Sequence, residues 1–541
     1  MNELKLDFNE RADSIPDWLS HQQLDLSQLW LYPDRKPIES ALAQDLNLET
    51  HNILLTNGGD ESIELLFKLC KLQQQRMVVP EPCFSQYTHG QNIWQLEAEF
   101  IPAGPQLTID QAAIVQQIKA NDWLVLTRPN NPTGEYISDA ALRSLLTAAQ
   151  NNNTWVFLDE AYIEFANPNK AWHNWSEEFP NVVILRSFSK AFGLAGARLG
   201  YLVGQPELIE QFRRLAMPFN VSQLNLQIAS LGLQNLTEVH DYCSRIENNR
   251  NQVYQYLQQL GVAVCESRAN FLLMRLSPKS KTLLTRLCES RRIRIKTQMP
   301  GLEDYVRITL PDRIEKLMSV LKLAFEPQVL AFDMDGVLID TSASYDQCIS
   351  QTVELLTGHN VSLQDITVLR AAGGFNNDWD LTHQLMRNLG QDIELDQVVQ
   401  TFQSLYHGED GNTGLKLSET NLLTEQGRKY LFEQESAVRA VVTGRPRTEA
   451  QDGIAQLNIQ PHYVVSADDV KQQKPDPEGL LSVLEKSGKN RMWFCGDTVD
   501  DMQAGTAAGC VCIGIGAEPQ HLYAAGAHLV LENINQLEEL I

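Results

Sequence analysis

The 541-residue sequence lacks several features that would each have directed its interpretation. It has no uninterrupted apolar run near the ~18 residues of a membrane span, so no bilayer-crossing helix is expected. Its opening, MNELKLDFNERADS, is polar and acidic rather than basic-then-apolar, so no export signal is read and a cytoplasmic location is expected. Its nine cysteines contain no CxxC pair, and their odd number and scatter argue against a disulfide framework or a zinc ribbon. Cys510 and Cys512 flank one valine in an apolar run and read as core packing. Basic charge is scarce: 44 Lys and Arg stand against 68 Asp and Glu, a formal charge of -24, which speaks against a nucleic-acid binder with a basic face. There is no internal repeat, low-complexity tract or Gly/Ser-rich tether.

The remainder is typical of folded protein. Hydrophobic residues make up 43% and charged residues 21%, too apolar for a disordered chain. At about 150 residues per domain the length implies three or four domains. The charge is uneven: residues 328–541 hold 31 acidic and 13 basic side chains, or -18, leaving -6 for residues 1–327, as two units of separate origin would. The join is sharp. A helix-like stretch, 313–324, ends at Glu326-Pro327, and the strand-like QVLAFDMDG follows at once. In both parts short apolar runs ending in polar residues (TWVFLDEAY, NVVILRSFSK, VLAFDMDG, RMWFCGD) alternate with helical periodicity, so both read as α/β with function at the strand ends.

Four segments of the first part belong together: NGGDESIELL (57–66), PNNPTG (129–134), DEAY (159–162) and SFSKAFGLAGARLGY (187–201). Together they resemble the fold-type-I pyridoxal-phosphate aminotransferases, and among these the histidinol-phosphate aminotransferase group, over nearly all of 1–325. The resemblance implies a large domain over about 40–225 and a small one built from the N-terminal arm and about 226–325. It implies pyridoxal 5'-phosphate as cofactor, with Lys190 as the amine that condenses with the cofactor aldehyde and, once displaced, moves the substrate proton. Asp159, at the end of TWVFLD, suits a buried carboxylate that keeps a pyridine nitrogen protonated. Asn131 and Tyr162 match the family's donors to the ring hydroxyl, and Phe84, in EPCFSQY, its stacking aromatic. For the cofactor phosphate the resemblance gives Ser187, Ser189 and Arg198, with Gly59, Asp60 and Glu61 opening a helix whose amides face an anion. Tyr32, in LYPDR, resembles the tyrosine that reaches the neighbouring subunit's phosphate, so a homodimer with shared sites is expected. Arg307, in GLEDYVRITL, is the expected anion-binding arginine, with Asn270 and Phe271 in a matching stretch. Arg294 is a second anion contact, with Arg292 and Lys296 as competitors. FNERADS departs from the family's asparagine-glutamate-asparagine-proline opening, which leaves the amino donor and acceptor open.

The second part carries LAFDMDGVLIDTS, VVTGR, KQQKPDP and FCGDTVDD in that order. These resemble the four motifs of haloacid-dehalogenase-superfamily phosphatases over 328–541, implying a Rossmann-like core (328–341 and 436–541) and a helical cap (342–435). Asp333 is then the nucleophile, forming an aspartyl-phosphate, and Asp335 the acid and later base. Asp333, Asp335 through its carbonyl, Asp497 and Asp501 suit Mg2+. Thr443 and Lys474 orient the phosphoryl group, Lys471 being the weaker candidate. GGFNNDWDLT (373–382), inside the cap, reads either as a source of substrate contacts or as an ordinary loop.

The joined chemistries imply consecutive steps: imidazole-acetol phosphate and glutamate to histidinol phosphate and 2-oxoglutarate, then histidinol phosphate to histidinol. Three other readings stay open: a threonine-phosphate decarboxylase-like enzyme, a phosphatase for sugar phosphates or phosphoglycolate, and a non-catalytic pyridoxal-phosphate-sensing module. Partners are expected to be small phosphorylated molecules, with no nucleic acid and no membrane.

Overall fold

The longest apolar runs form the buried strands of two sheets. A computed structural model describes residues 3–166, 174–371, 377–408, 413–434 and 437–540. Packing divides the chain into two compact units, Met1–Ser277 with Arg292–Lys316, and Pro278–Arg291 with Leu317–Ile541.

The first unit holds a seven-stranded sheet: Ile53–Thr56 (β1), Met77–Pro80 (β2), Ala98–Ile101 (β3), Trp123–Thr127 (β4), Trp155–Asp159 (β5), Val182–Ser187 (β6) and Gly200–Gly204 (β7). Its spatial order is β1-β7-β6-β5-β4-β2-β3. Only β7 runs against its neighbours, so β1, β4, β5 and β6 end on one edge. The central strands are buried almost throughout, and Phe67, Trp123, Phe157 and Phe212 pack in the core against the sheet. Continuous Val/Ile/Leu runs are what a sheet covered on both faces demands. A three-stranded antiparallel sheet, Tyr305–Thr309, Phe271–Arg275 and Ala263–Val264, sets Arg307 opposite Leu273. The N-terminal arm joins the unit through Leu4–Leu6, parallel to Ile293–Ile295.

The second unit holds an all-parallel six-stranded sheet: Val329–Phe332 (β8), Val438–Val442 (β9), Tyr463–Val465 (β10), Met492–Gly496 (β11), Val511–Ile515 (β12) and Leu529–Leu531 (β13). The order β10-β9-β8-β11-β12-β13 puts β8 at the centre. Cys510 and Cys512 are buried at and within β12, as core packing requires. Between β8 and β9 the chain builds helices Tyr345–Thr357, Leu363–Ala371, Asp378–Asn388 and Leu395–His407, with a core of their own from Ile349, Leu381, Phe402 and Tyr406. This insert leaves and rejoins through two short antiparallel strands, Ile339–Asp340 and Thr420–Asn421. The unit also contains helix Pro278–Ser290: Lys279 pairs with Glu539 at 2.7 Å, and the Arg286 guanidinium lies 3.9 Å from the Tyr523 ring centre. Trp493 in β11 donates its indole N–H to the carbonyl of Leu323 at 2.7 Å.

Candidate functional site

The carboxyl edge of the first sheet opens on a cavity of about 1050 Å3. Its size suits a cofactor together with a substrate, since single-ligand pockets run from roughly 300 to 1,000 Å3. Lys190 lies three residues past the end of β6, and its Nζ donates to the carbonyl of Phe8 at 3.1 Å and stands 5.5 Å from the Tyr162 ring centre. Asp159 closes β5, fully buried. Burial pushes its carboxyl up to about 6, although Tyr87 Oη at 2.8 Å and the Ala161 amide at 3.0 Å both donate to it and pull the other way. A buried carboxylate with two neutral donors and, among the described residues, no cation paired with it suits a protonated ring nitrogen.

Asn131 and Tyr162 share a hydrogen bond of 3.3 Å, and Asn9 donates to the same phenol oxygen at 3.2 Å. Arg307 donates to Asn131 Oδ1 at 2.5 Å and to the carbonyl of Asp7 at 2.8 Å, while its buried Nε has no partner among the described residues. Asn270 donates to the carbonyl of Asn9 at 3.0 Å, and its buried Oδ1 is likewise unpartnered. An orphaned guanidinium N–H at a cavity wall fits an anionic ligand, which would supply the missing acceptor. Phe84 lines the cavity beside Tyr87.

Gly59, Asp60, Ser187, Ser189 and Arg198 line the cavity as well. The helix Gly58–Gln73 starts just past β1, on the edge where β5 and β6 also end, so its first amides face the same space. Gly58 has φ +77°, and a Cβ there would stand 2.7 Å from an Arg198 nitrogen, so only glycine turns the chain this tightly. Arg198 pairs with Asp60 at 2.6 Å. Glu61 turns away to accept from the amide of Asn57 and from Asn220, which leaves its backbone rather than its carboxylate at the helix start.

The second sheet converges on a smaller, more highly charged site. Asp333 follows β8 with its amide bonded to the carbonyl of Cys495, Thr443 follows β9, Asp497 follows β11, and Asp501 lies in the first turn of helix Val499–Ala507. Asp501 takes hydrogen bonds from the Thr498 amide and hydroxyl, a capping box that fixes its rotamer. Oxygens of Asp333, Asp497 and Asp501 lie within 4.8 Å of one another, the one such cluster among the described residues. Lys474 reaches Asp333 at 2.8 Å and Asp501 at 2.5 Å. One ammonium does not balance three clustered carboxylates, two of them buried and the third, Asp497, half-buried. Burial raises Asp333 to about 7, against the pull of Lys474, and holds Asp497 well above the carboxylate range, where Asp501 adds repulsion. Asp497 Oδ1 is buried without a partner among the described residues. An all-oxygen, charge-deficient cluster fits a hard divalent cation. Gly336 (φ +69°) completes it, since a Cβ there would sit 2.0 Å from Asp497 Oδ2.

The aminotransferase class I and II family matches residues 2–321. This chain belongs to that family. Residues 327–509 match the haloacid dehalogenase-like hydrolases, so a transferase domain is followed by a hydrolase domain. The histidinol-phosphate aminotransferase of Chlorobium phaeovibrioides is 32% identical over 328 residues, covering 59% of this chain and 90% of the relative. Two solved structures share the fold: the histidinol-phosphate aminotransferase of Sinorhizobium meliloti in complex with pyridoxal-5'-phosphate (TM-score 0.52, 22% identity, 60% of this chain and 90% of that one), and the L-threonine-O-3-phosphate decarboxylase of Porphyromonas gingivalis (TM-score 0.51, 22% identity, 59% and 98%). The expected architecture holds: a fold-type-I aminotransferase followed by a haloacid-dehalogenase core.

One expected substrate contact of the aminotransferase falls elsewhere. Arg294 does not line the cavity; it pairs with Asp7 at 2.7 Å and with Glu3 at 3.6 Å, and Lys296 lines the cavity instead. Tyr32, expected at a second copy's site, is not on the wall of its own cavity. It is 81% exposed and stacks on Phe219 at 4.4 Å between ring centres. Asn9, Glu10 and Tyr87 were not anticipated. The first two lie in FNERADS, whose departure from the family pattern drew attention to what was missing rather than to Asn9. Tyr87 lies one helical turn from Phe84, the only trace of it in the sequence.

In the hydrolase domain Arg445, visible in VVTGR, is the unanticipated residue: it donates to Asp335 from Nε at 2.8 Å and Nη2 at 2.6 Å. Lys471 donates its amide to Glu478 at 3.0 Å. In GGFNNDWDLT, residues 373–376 lie outside the described residues. Asn377 caps helix Asp378–Asn388, and Asp378 pairs with Arg370 at 2.9 Å, so the described part is a helix start.

Proposed function

We propose that the chain is a bifunctional enzyme of histidine biosynthesis: an aminotransferase acting on imidazole-acetol phosphate with glutamate, and a phosphatase releasing phosphate from histidinol phosphate. The observation that carries the first half is a lysine amine, a buried carboxylate and an arginine with a free N–H on the wall of one large cavity. The name shared by the sequence relatives supports the substrate.

Pyridoxal 5'-phosphate, held by Lys190, Asp159, Asn131, Tyr162, Phe84, Ser187, Ser189, Arg198 and the amides of Gly59, Asp60 and Glu61, supplies the electron sink when bound. Asp159 keeps a proton on the ring nitrogen, and Tyr87 and Ala161 orient that carboxylate. The Lys190 amine, freed by substrate, moves the proton between two carbons. Arg307 and Asn270 bind the substrate's anionic group, and Lys296 is better sited than Arg294 for a second one. We read Tyr32 as reaching a second copy's site. Trp30, Leu31 and Tyr32 form an exposed apolar run, which fits burial in a homodimer.

In the hydrolase domain, which we take as residues 328–541 with the cap at 342–435, Mg2+ held by Asp333, Asp497, Asp501 and the Asp335 carbonyl would offset the anionic charge. Asp333 attacks phosphorus, Asp335 protonates the leaving oxygen, and Thr443 and Lys474 hold the phosphoryl oxygens. The domain fusion supports histidinol phosphate as substrate, because the first product is the second reactant.

The test is to assay the purified protein for 2-oxoglutarate from glutamate and imidazole-acetol phosphate, and for phosphate from histidinol phosphate with Mg2+. Asp333→Asn should abolish phosphate release and spare transamination. Carbon dioxide instead of 2-oxoglutarate would indicate a decarboxylase, and phosphate from other esters alone would overturn the pathway.

A further inference from the structure

We infer that Arg445 is a positioning residue for Asp335, tying this carboxylate to the hinge through which the helical insert joins the core; the inference rests on the phosphatase reading above. The Arg445 side chain is 2% exposed, yet two of its nitrogens donate to one oxygen, Asp335 Oδ1. The Asp335 side chain remains a third exposed, so its carboxyl is held from one side and accessible from the other. The same Nη2 also donates to Glu419 Oε2 at 3.1 Å. Glu419 is 1% exposed, and its other oxygen accepts from Ser344 at 3.2 Å and Tyr406 at 2.9 Å.

Glu419 immediately precedes Thr420–Asn421, the return strand of the insert, which pairs with the outgoing strand Ile339–Asp340. Ser344 and Tyr406 lie at the two ends of the insert's helices. One planar guanidinium therefore links Asp335 to both crossings between insert and core. Lysine has no rigid fork and cannot make this set of contacts with the same geometry. A buried ion pair is poor evidence of stabilisation, because desolvation consumes much of its attraction, so its location beside the acid calls for a functional account.

In that account the proton on Asp335 passes to the leaving oxygen as the Asp333–phosphorus bond forms and the ester P–O bond breaks. Asp335 then takes a proton from the water that cleaves the aspartyl-phosphate, and phosphate leaves with Asp333 restored. Arg445 touches no reacting atom; it fixes the Asp335 oxygen that does.

Leaving-group dependence reads this directly. A good leaving group such as p-nitrophenolate needs no proton, whereas an alkoxide does, and kcat/KM reports only the steps through loss of the leaving group. We expect Arg445→Gln to lower kcat/KM for the alkyl ester that the wild type cleaves best, histidinol phosphate included in the panel, at least about tenfold more than for p-nitrophenyl phosphate, matching Asp335→Asn in pattern. Glu419→Gln should show the same bias, smaller. Equal losses on both esters, as from a partly unfolded domain, or no loss, would overturn the inference. Where Arg445→Gln does not fold by circular dichroism, Arg445→Lys and Glu419→Gln carry the same comparison. A wild type inactive on every ester would instead defeat the phosphatase reading itself.

Discussion

Asp159 is where burial and chemistry oppose each other most clearly. An ordinary carboxyl titrates near 3.8, and here burial lifts it to about 6. A raised carboxyl binds its proton more tightly when folded, so its cost is absent below the unfolded value and grows as pH rises toward 6, reaching about 3 kcal/mol at neutral pH. Asp159→Asn in the cofactor-free protein should therefore be at least as heat-stable as the parent at pH 7.5, with the advantage gone by pH 4. The same change should cut transamination by at least about a hundredfold, because the ring nitrogen loses its counter-charge. Thermal melts at the two pH values and a glutamate assay check both statements. Asp159 and Lys190 were legible in the sequence because each ends or follows an apolar strand run in a recognisable motif. Tyr87 and Asn9 were not, since their roles depend on neighbours 72 and 300 residues away in the chain. Arg294 and Lys296 could not be separated by alternation. What separates them is Asp7, on the arm that pairs beside Ile293–Ile295.

Strand ends and helix starts do the positioning, and one tight turn among them is at Gly336. Its positive φ disfavours any side chain, and the added Cβ would strike Asp497. Mg2+ should raise the unfolding temperature of the phosphatase part by about 5 °C at a concentration near a hundred times its dissociation constant. That shift should disappear in Asp497→Asn and shrink in Gly336→Ala, whose fold is otherwise kept. Calorimetry with and without chelator measures it; a full shift in Gly336→Ala would refute the packing argument. The strands themselves were readable because a parallel sheet asks for unbroken apolar runs. The capping box at Thr498 and Asp501 was readable only as a motif, and the insert's helices only as a pattern, because which faces pack together is set by tertiary contacts among Ile349, Leu381 and Phe402.

Across the whole chain, charge asymmetry and the Glu326-Pro327 break located the change of chemistry, and the two matched families meet there, at 321 and 327. Packing follows a different line. Helix Pro278–Ser290 lies inside the aminotransferase match yet belongs to the second compact unit, with Leu283, Leu284 and Leu287 buried, and so does Leu321, the last matched residue. A linear sequence gives no sign of this, since the helix carries the same amphipathic pattern whichever surface it covers. A fragment cut to 328–541 would strip the acceptor from the buried Trp493 N–H, which costs about 1–3 kcal/mol, in addition to the apolar surface exposed. Such a fragment should melt at least about 5 °C below the corresponding transition of the intact chain, or aggregate on expression.

The excursion of Pro278–Arg291 also constrains how this gene can change. Two catalysts joined end to end can be separated, shuffled or lost one at a time, but here a stretch of the first coding region is structural material for the second. A lineage discarding the hydrolase would leave Lys279 without Glu539 and Arg286 without the Tyr523 ring. One recruiting a replacement would need a newcomer that accepts Lys279 and Arg286 as they stand.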